Sequence, residues 1–224
     1  MENDAKISLS NIINSIDEET KMIYICNPNN PTGQFISSEK IQMIARNTKK
    51  YVVIDESAIE FSGEKSMATD ELPDNIIVVK SFSKAYGIAN LRVGYMLCSK
   101  AFKELYDKNI TVNEVSGISC EYAKKVFLSN NYKKNVKAIV NERKNLEKRL
   151  KEIGIEFYDS NSNTLFSKKG LSREMIAKFY KNDISVTIIQ DQDEKLHIRI
   201  AVQERKTNKL FIKTCKEIFS KELS

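Results

Sequence analysis

The chain has 224 residues, 41% apolar and 29% charged, proportions that exclude collagen-like and disordered chains and permit a core of useful size. Its longest apolar runs, such as Ile76 to Val79, fall far short of the roughly 20 residues of a membrane-spanning helix, and its first residues lack the basic start and apolar stretch of a signal peptide, so a cytoplasmic protein is expected. Thirty-six basic and thirty acidic residues leave a net charge of +6; a Lys-rich solvated surface accounts for it more simply than attraction to nucleic acid or phosphorylated ligands, and neither a nucleic-acid nor a membrane partner is expected.

Ser8 to Ile16 reads as a short helix with Leu9, Ile12, Ile13 and Ile16 on one face. Met22 to Cys26 reads as a buried strand, stopped by the turn-rich run Asn27-Pro28-Asn29-Asn30-Pro31-Thr32-Gly33. Ser38 is the expected cap of a helix carrying Ile41, Ile44 and Ala45, with Ser37 as the competing cap. Tyr51 to Ile54 is a second buried strand, ending on Asp55; Ile76 to Val79 is a third, ending just before Ser81-Phe82-Ser83-Lys84; Val93 to Leu97 is a fourth. Lys100 to Asp107, Val115 to Leu128 and Asn131 to Ile153 follow as helices, the last closed by Gly154. Beyond it the pattern shortens to two strands, a helix over Ser172 to Lys181, strands over Ile184 to Ile188 and Leu196 to Val202, and a final helix.

Strands alternating with helices predict an α/β fold: a mainly parallel sheet with helices on both faces, over residues 1–153, followed by a smaller α+β unit over 154–224. In parallel sheets, ligands bind beyond the carboxyl ends of the strands. Asn30, Asp55 and the Ser81 to Lys84 segment all fall there. Each alone is ambiguous. Lys84 could be a solvated amine, Asp55 a helix cap or ion-pair partner, and Arg92 a structural residue. Ser81-x-x-Lys84 also matches the serine-lysine spacing of penicillin-recognising enzymes, but no Ser-Asp-Asn or Lys-Thr-Gly follows. Cys26, Cys98, Cys120 and Cys215 are far apart and form no Cys-x-x-Cys, so reduced, buried thiols are expected and no metal site.

Four blocks taken together are more specific. Asn27-Pro28-Asn29-Asn30-Pro31-Thr32-Gly33, Asp55-Glu56, Ser81-Phe82-Ser83-Lys84-Ala85-Tyr86-Gly87 and Leu91-Arg92-Val93-Gly94-Tyr95 resemble, in that order, the fold type I pyridoxal phosphate enzymes, and within them the histidinol-phosphate aminotransferase group. The resemblance implies a partial large domain of that fold with its smaller C-terminal domain. It implies pyridoxal 5'-phosphate in Schiff-base linkage to Lys84, whose amine then serves as general base and acid. It implies Asp55 paired with the pyridine nitrogen, Asn30 donating to the ring 3-oxygen, and Ser81, Ser83 and Arg92 holding the phosphate. Ile198-Arg199-Ile200-Ala201-Val202 resembles the block whose arginine grips the substrate carboxylate, although Arg199 on an alternating strand could be an ordinary surface residue. His197 is expected to be packed or solvated.

The implied activity is transfer of an amino group between a phosphorylated amino acid or amine and a 2-oxo acid, in a homodimer. A decarboxylase of a phosphorylated hydroxy-amino acid shares every motif, and a truncated fragment without catalysis is the third reading. Two departures bear on this. Ala58 stands where these aminotransferases carry a tyrosine donor to the ring oxygen, which should leave a hole beside the cofactor. The family's N-terminal third, with its small-residue phosphate loop, has no counterpart here, so a fragment or a truncated product is expected.

Overall fold

A computed structural model describes residues 7–68, 72–110 and 115–219. Its chain order is α1 (Leu9–Asn14), β1 (Met22–Cys26), α2 (Ser38–Arg46), β2 (Tyr51–Asp55), β3 (Ile76–Ser81), β4 (Gly94–Leu97), α3 (Lys100–Asp107), α4 (Gly117–Ser129), α5 (Tyr132–Glu152), β5 (Thr164–Phe166), α6 (Arg173–Lys181), β6 (Thr187–Gln190), β7 (Leu196–Ala201) and α7 (Arg205–Phe219). Among the described residues no helix is long and apolar enough to cross a membrane.

The first sheet has the order β1-β2-β3-β4, with β1, β2 and β3 parallel and β4 antiparallel to β3. The three parallel strands therefore end at one edge. Alternation along them splits their side chains between two faces. Ile25, Val52, Ile54, Ile76 and Val78 pack with Ile41, Ile44 and Ala45 of α2 and with the apolar side of α1. Tyr51, Val53 and Asp55 turn to the other face, where Phe102 of α3 meets Tyr51 edge-on at 4.9 Å. The expectation that β1 is a buried strand is corrected: among the described residues it pairs with β2 alone, and Met22 is 51% and Tyr24 60% exposed. Ser37, not Ser38, is the N-cap residue of α2.

α5 joins the two halves. Near its start Val136 and Val140 pack on a cluster of Ala58, Phe61, Phe82, Tyr86 and Ala123. Near its end Leu146 and Leu150 enter the core of the C-terminal unit, with Leu165, Phe179, Ile198, Phe211 and Cys215. Between these, buried Arg143 donates from Nη1 to the Phe61 carbonyl (3.1 Å) and the Ser162 carbonyl (2.6 Å), tying one unit to the other. Gly154 adopts φ +73°, and the Gly154 and Ile155 amides bond back to Lys151 and Leu150, a hydrogen-bonded stop that L-residues with a Cβ adopt poorly.

The second sheet is antiparallel, in the order β5-β7-β6. β6 begins at Thr187, three residues later than Ile184 to Ile188 suggests, because the turn after α6 extends through Asp183 at φ +57° and the first ladder partner is Thr187 with Arg199. Of the four cysteines, only Cys215 is buried; Cys26 and Cys98 are half-buried and Cys120 is exposed, correcting the expectation of four buried thiols. Cys215 lies on the core side of α7, whereas Cys120 is on the outer side of α4, Cys26 ends the edge strand β1 and Cys98 follows β4.

Candidate active site

The site lies where β1, β2 and β3 end. Asp55 is the last residue of β2 and pairs in register with Cys26 of β1 and Val79 of β3. Its Oδ1 accepts from the Ser57 amide at 2.9 Å, and its Oδ2 accepts from the Tyr24 phenol at 2.5 Å. Burial alone would raise its pKa. The bonds from Tyr24 and Ser57 and the nearby Lys84 ammonium outweigh that and hold the carboxyl below its ordinary value of 3.8. Asp55 is thus a carboxylate at any pH near neutrality.

Lys84 follows β3 after a short turn, in which the Ser83 amide donates to Ser81 Oγ at 3.1 Å. Its Nζ donates to Ser57 Oγ at 2.8 Å. Ser57 therefore links the two groups: its amide bonds the anion and its hydroxyl accepts from the cation. Lys80, four residues earlier, takes no part. It is buried, with ion pairs to Glu60 at 2.9 Å and Glu56 at 3.6 Å, and Glu56 also accepts from the Met67 amide at 2.7 Å. Adjacent carboxylates on β2 and after it thus have separate uses. Asp55 faces the site, and Glu56 neutralises a buried lysine.

The Asn27–Gly33 turn is built on buried Asn27, whose side chain exchanges hydrogen bonds with the Ile36 backbone. Gly33 has φ +74°, and a Cβ there would sit 2.1 Å from Ser160 Oγ; its carbonyl accepts from the Asn161 amide at 2.7 Å. This close approach brings the C-terminal unit against the turn. Across the same junction Arg199 of β7 donates to Asn30 Oδ1 at 2.6 Å and to Thr187 Oγ1 at 3.3 Å. With its oxygen so engaged, the Asn30 amide nitrogen is left as the donor end.

Lys84, Asp55, Asn30 and Arg199 are therefore brought to one region. Ser81 and Ser83 sit beside Lys84. Arg92 is exposed, lies at φ +53° and donates to the Ala89 carbonyl at 3.3 Å, while Gly94, two residues on, pairs with Ser81. His197 is buried rather than solvated, with its ring nitrogens 3.0 Å from the Ser167 carbonyl and 3.1 Å from Asp191.

Ala58 differs from its expected setting. It is 3% exposed and packs with Phe61, Phe82, Ala85 and Tyr86, so neighbouring side chains fill the volume where a hole beside the cofactor was expected. A larger residue must displace them. Ala58→Tyr is expected to lower the unfolding free energy by about 1–3 kcal/mol, seen as a lower urea midpoint. An unchanged midpoint would mean that the new ring has found room towards Asp55.

Two site residues, Tyr24 and Ser57, were not identified from sequence. Tyr24 shares the strand face of Cys26, whose register partner is Asp55; that alternation was the available signal. Nothing local marks Ser57, because its partner is 27 residues away.

Residues 1–209 match the sequence family described as aminotransferase class I and II. The chain is 36% identical over 208 residues to histidinol-phosphate aminotransferase 2 of Archaeoglobus fulgidus, covering 90% of this chain and 59% of that protein. Its fold superposes with a TM-score of 0.86 on the histidinol-phosphate aminotransferase of Clostridium acetobutylicum, at 22% identity over 97% of this chain and 69% of the other. A decarboxylase from Sulfurospirillum multivorans superposes at 0.79, with 27% identity over 96% of this chain and 67% of the other. The chain spans about 60% of the length of the curated relatives it matches. On the extent of that match, which takes in every residue of the site, the chain belongs to the aminotransferase class I and II family.

Proposed function

We propose that this chain carries the Lys84 half of a pyridoxal phosphate site whose reaction is amino-group transfer between a phosphorylated amine of the histidinol-phosphate kind and a 2-oxo acid. The observation that carries the reading is the Asp55–Ser57–Lys84 linkage at the carboxyl ends of parallel strands, with Arg199 reaching Asn30 from the other unit. The donor set fits the cofactor: a primary amine for the aldehyde, a carboxylate for the ring nitrogen, an amide for the ring oxygen, and Ser81, Ser83 and Arg92 for the phosphate. When bound, the cofactor supplies an electron sink for the bond broken at the substrate α-carbon.

Each residue then has a defined task. Asp55, held as an anion, keeps a proton on the ring nitrogen. Lys84 Nζ, once free, moves the α-proton, and Ser57 Oγ is the acceptor that holds that amine within the site. Arg199 offers a guanidinium for a carboxylate, a planar pairing that lysine does not reproduce. Arg92 and the two hydroxyls bring one positive charge and two neutral donors to a phosphate.

The same reading takes 1–153 as the cofactor-binding domain and 154–224 as the small domain, a cytoplasmic location, and a homodimer. Exposed apolar residues on α4, Ile118 at 84% and Leu128 at 66%, support pairing with a second copy. The test is spectroscopic. Added pyridoxal phosphate should give a yellow species that borohydride fixes on Lys84. Histidinol phosphate should then convert the colour to the amine form without release of carbon dioxide. Carbon dioxide release from phosphothreonine or phosphoserine would replace transfer with decarboxylation.

A further inference from the structure

We propose that Tyr24 is a positioning residue of this site: from the edge strand, its phenol donates to Asp55 and fixes the plane of that carboxylate while leaving it acceptor-only. The inference rests on the reading of Asp55 as the partner of a cofactor nitrogen.

The geometry is specific. Tyr24 O–H meets Oδ2 at 2.5 Å, and the Ser57 amide meets Oδ1 at 2.9 Å. Donors from β1 and from the turn after β2 hold the two oxygens, which opposes rotation about the Cβ–Cγ bond. An ionised carboxylate has about four acceptor positions, so with Tyr24 and the Ser57 amide and hydroxyl bonded to it at least one remains for a ligand. Tyr24 is 60% exposed, and its strand neighbour Met22 is exposed too. A phenylalanine would serve any packing role on this face equally well, so only the hydroxyl has a use that requires tyrosine.

The groups that face Asp55 are few: Tyr24 and Cys26 from β1, Ser57 just after β2, and Lys84 from the loop after β3, with uncharged Val79 as the register partner on β3. Partial desolvation of the phenol, then its hydrogen bond to Asp55 and the Asp55 charge, push Tyr24 well above its ordinary value, so it stays a neutral donor. Cys26 is pushed up by burial and the Asp55 charge and stays a thiol. Lys84 is the one cation of the set. Tyr24 and Ser57 thus stabilise the Asp55 anion without consuming Lys84, whose Nζ is bonded to Ser57 Oγ rather than to the carboxylate.

The test compares wild type with Tyr24→Phe in the 224-residue chain, following the Asp55 carboxyl by ¹³C NMR, with the resonance assigned by its loss in Asp55→Asn. The Asp55 midpoint should rise by about one pH unit, a tenfold change in its dissociation constant, with stability to urea at neutral pH lowered by no more than the roughly 1.4 kcal/mol that this shift implies. A midpoint that does not move overturns the proposal. If acid unfolds the chain before Asp55 titrates, the Tyr24 ring carbon is followed upward in pH instead. Its titration should lie beyond those of the exposed tyrosines in wild type and move down towards them in Asp55→Asn; a Tyr24 that titrates with the exposed tyrosines in wild type overturns the proposal. Neither readout needs pyridoxal phosphate. A Lys84 that fails to take up cofactor would therefore refute the proposed function alone, and an unshifted Asp55 beside a normally labelled Lys84 would refute the role of Tyr24 alone.

Discussion

Lys84→Ala is expected to abolish covalent uptake of pyridoxal phosphate, read as the loss of the borohydride-fixed label from the peptide holding residue 84. Loss of the proton-transfer group alone costs roughly 10²–10⁴ in turnover, and loss of the attachment adds to that. The nearest alternative amine in sequence cannot replace it. Lys80 is 5% exposed, and its ammonium is committed to Glu56 and Glu60. Freeing that amine would leave two carboxylates buried and unpaired, at a cost of several kcal/mol. A label that moves to Lys80 or to any other lysine in Lys84→Ala, or one that stays at full strength, would reject the assignment. Ser57→Ala makes a useful companion, because it removes the acceptor 2.8 Å from Nζ and keeps the amine.

Much of this site was legible because chemistry-bearing residues sit where strands end. Apolar runs fix β2 and β3, and the polar residues immediately after them, Asp55 and Ser81 to Lys84, must then emerge at one edge once the strands are parallel. The helix α5 was legible because Leu146 and Leu150 keep helical spacing and Gly154 ends it. What stayed hidden depends on pairing partners that no local pattern encodes. Met22 to Cys26 has the composition of a buried strand, but its exposure is decided by whether a neighbour lies on its far side. The direction of β4 follows from the 82–93 segment folding back so that Gly94 pairs with Ser81, rather than from its residues. The Asn30–Arg199 bond spans 169 positions, and the volume beside Ala58 is filled by Phe82 and Tyr86 from another segment. The bond of Arg92 to the Ala89 carbonyl was not legible either.

Asp55→Asn is expected to cut turnover by roughly 10²–10³, the range seen when one charge-stabilising partner is removed from a reacting centre, while cofactor affinity changes far less. Hydrogen-bond inventory explains the asymmetry. The carboxylate receives donors at both oxygens, from Ser57 and Tyr24. An asparagine has one oxygen and one NH₂ group. The oxygen stays with the Ser57 amide, which cannot reverse its role, and the NH₂ turns to the Tyr24 oxygen, which can accept. Fold and contacts survive, but no anion remains to keep a proton on a ring nitrogen, and the electron sink weakens. Protonation of Asp55 by acid should have the same effect reversibly. Its folded pKa is depressed, so both its activity and its contribution to stability are full above the ordinary value of 3.8 and are lost as pH falls through the lower, folded value. In wild type the acid limb of turnover should therefore lie below that ordinary value until the chain unfolds, and in Asp55→Asn it should vanish from an already low rate. Wild-type turnover in a folded Asp55→Asn chain, checked by circular dichroism and cofactor absorbance, would remove Asp55 from the chemistry.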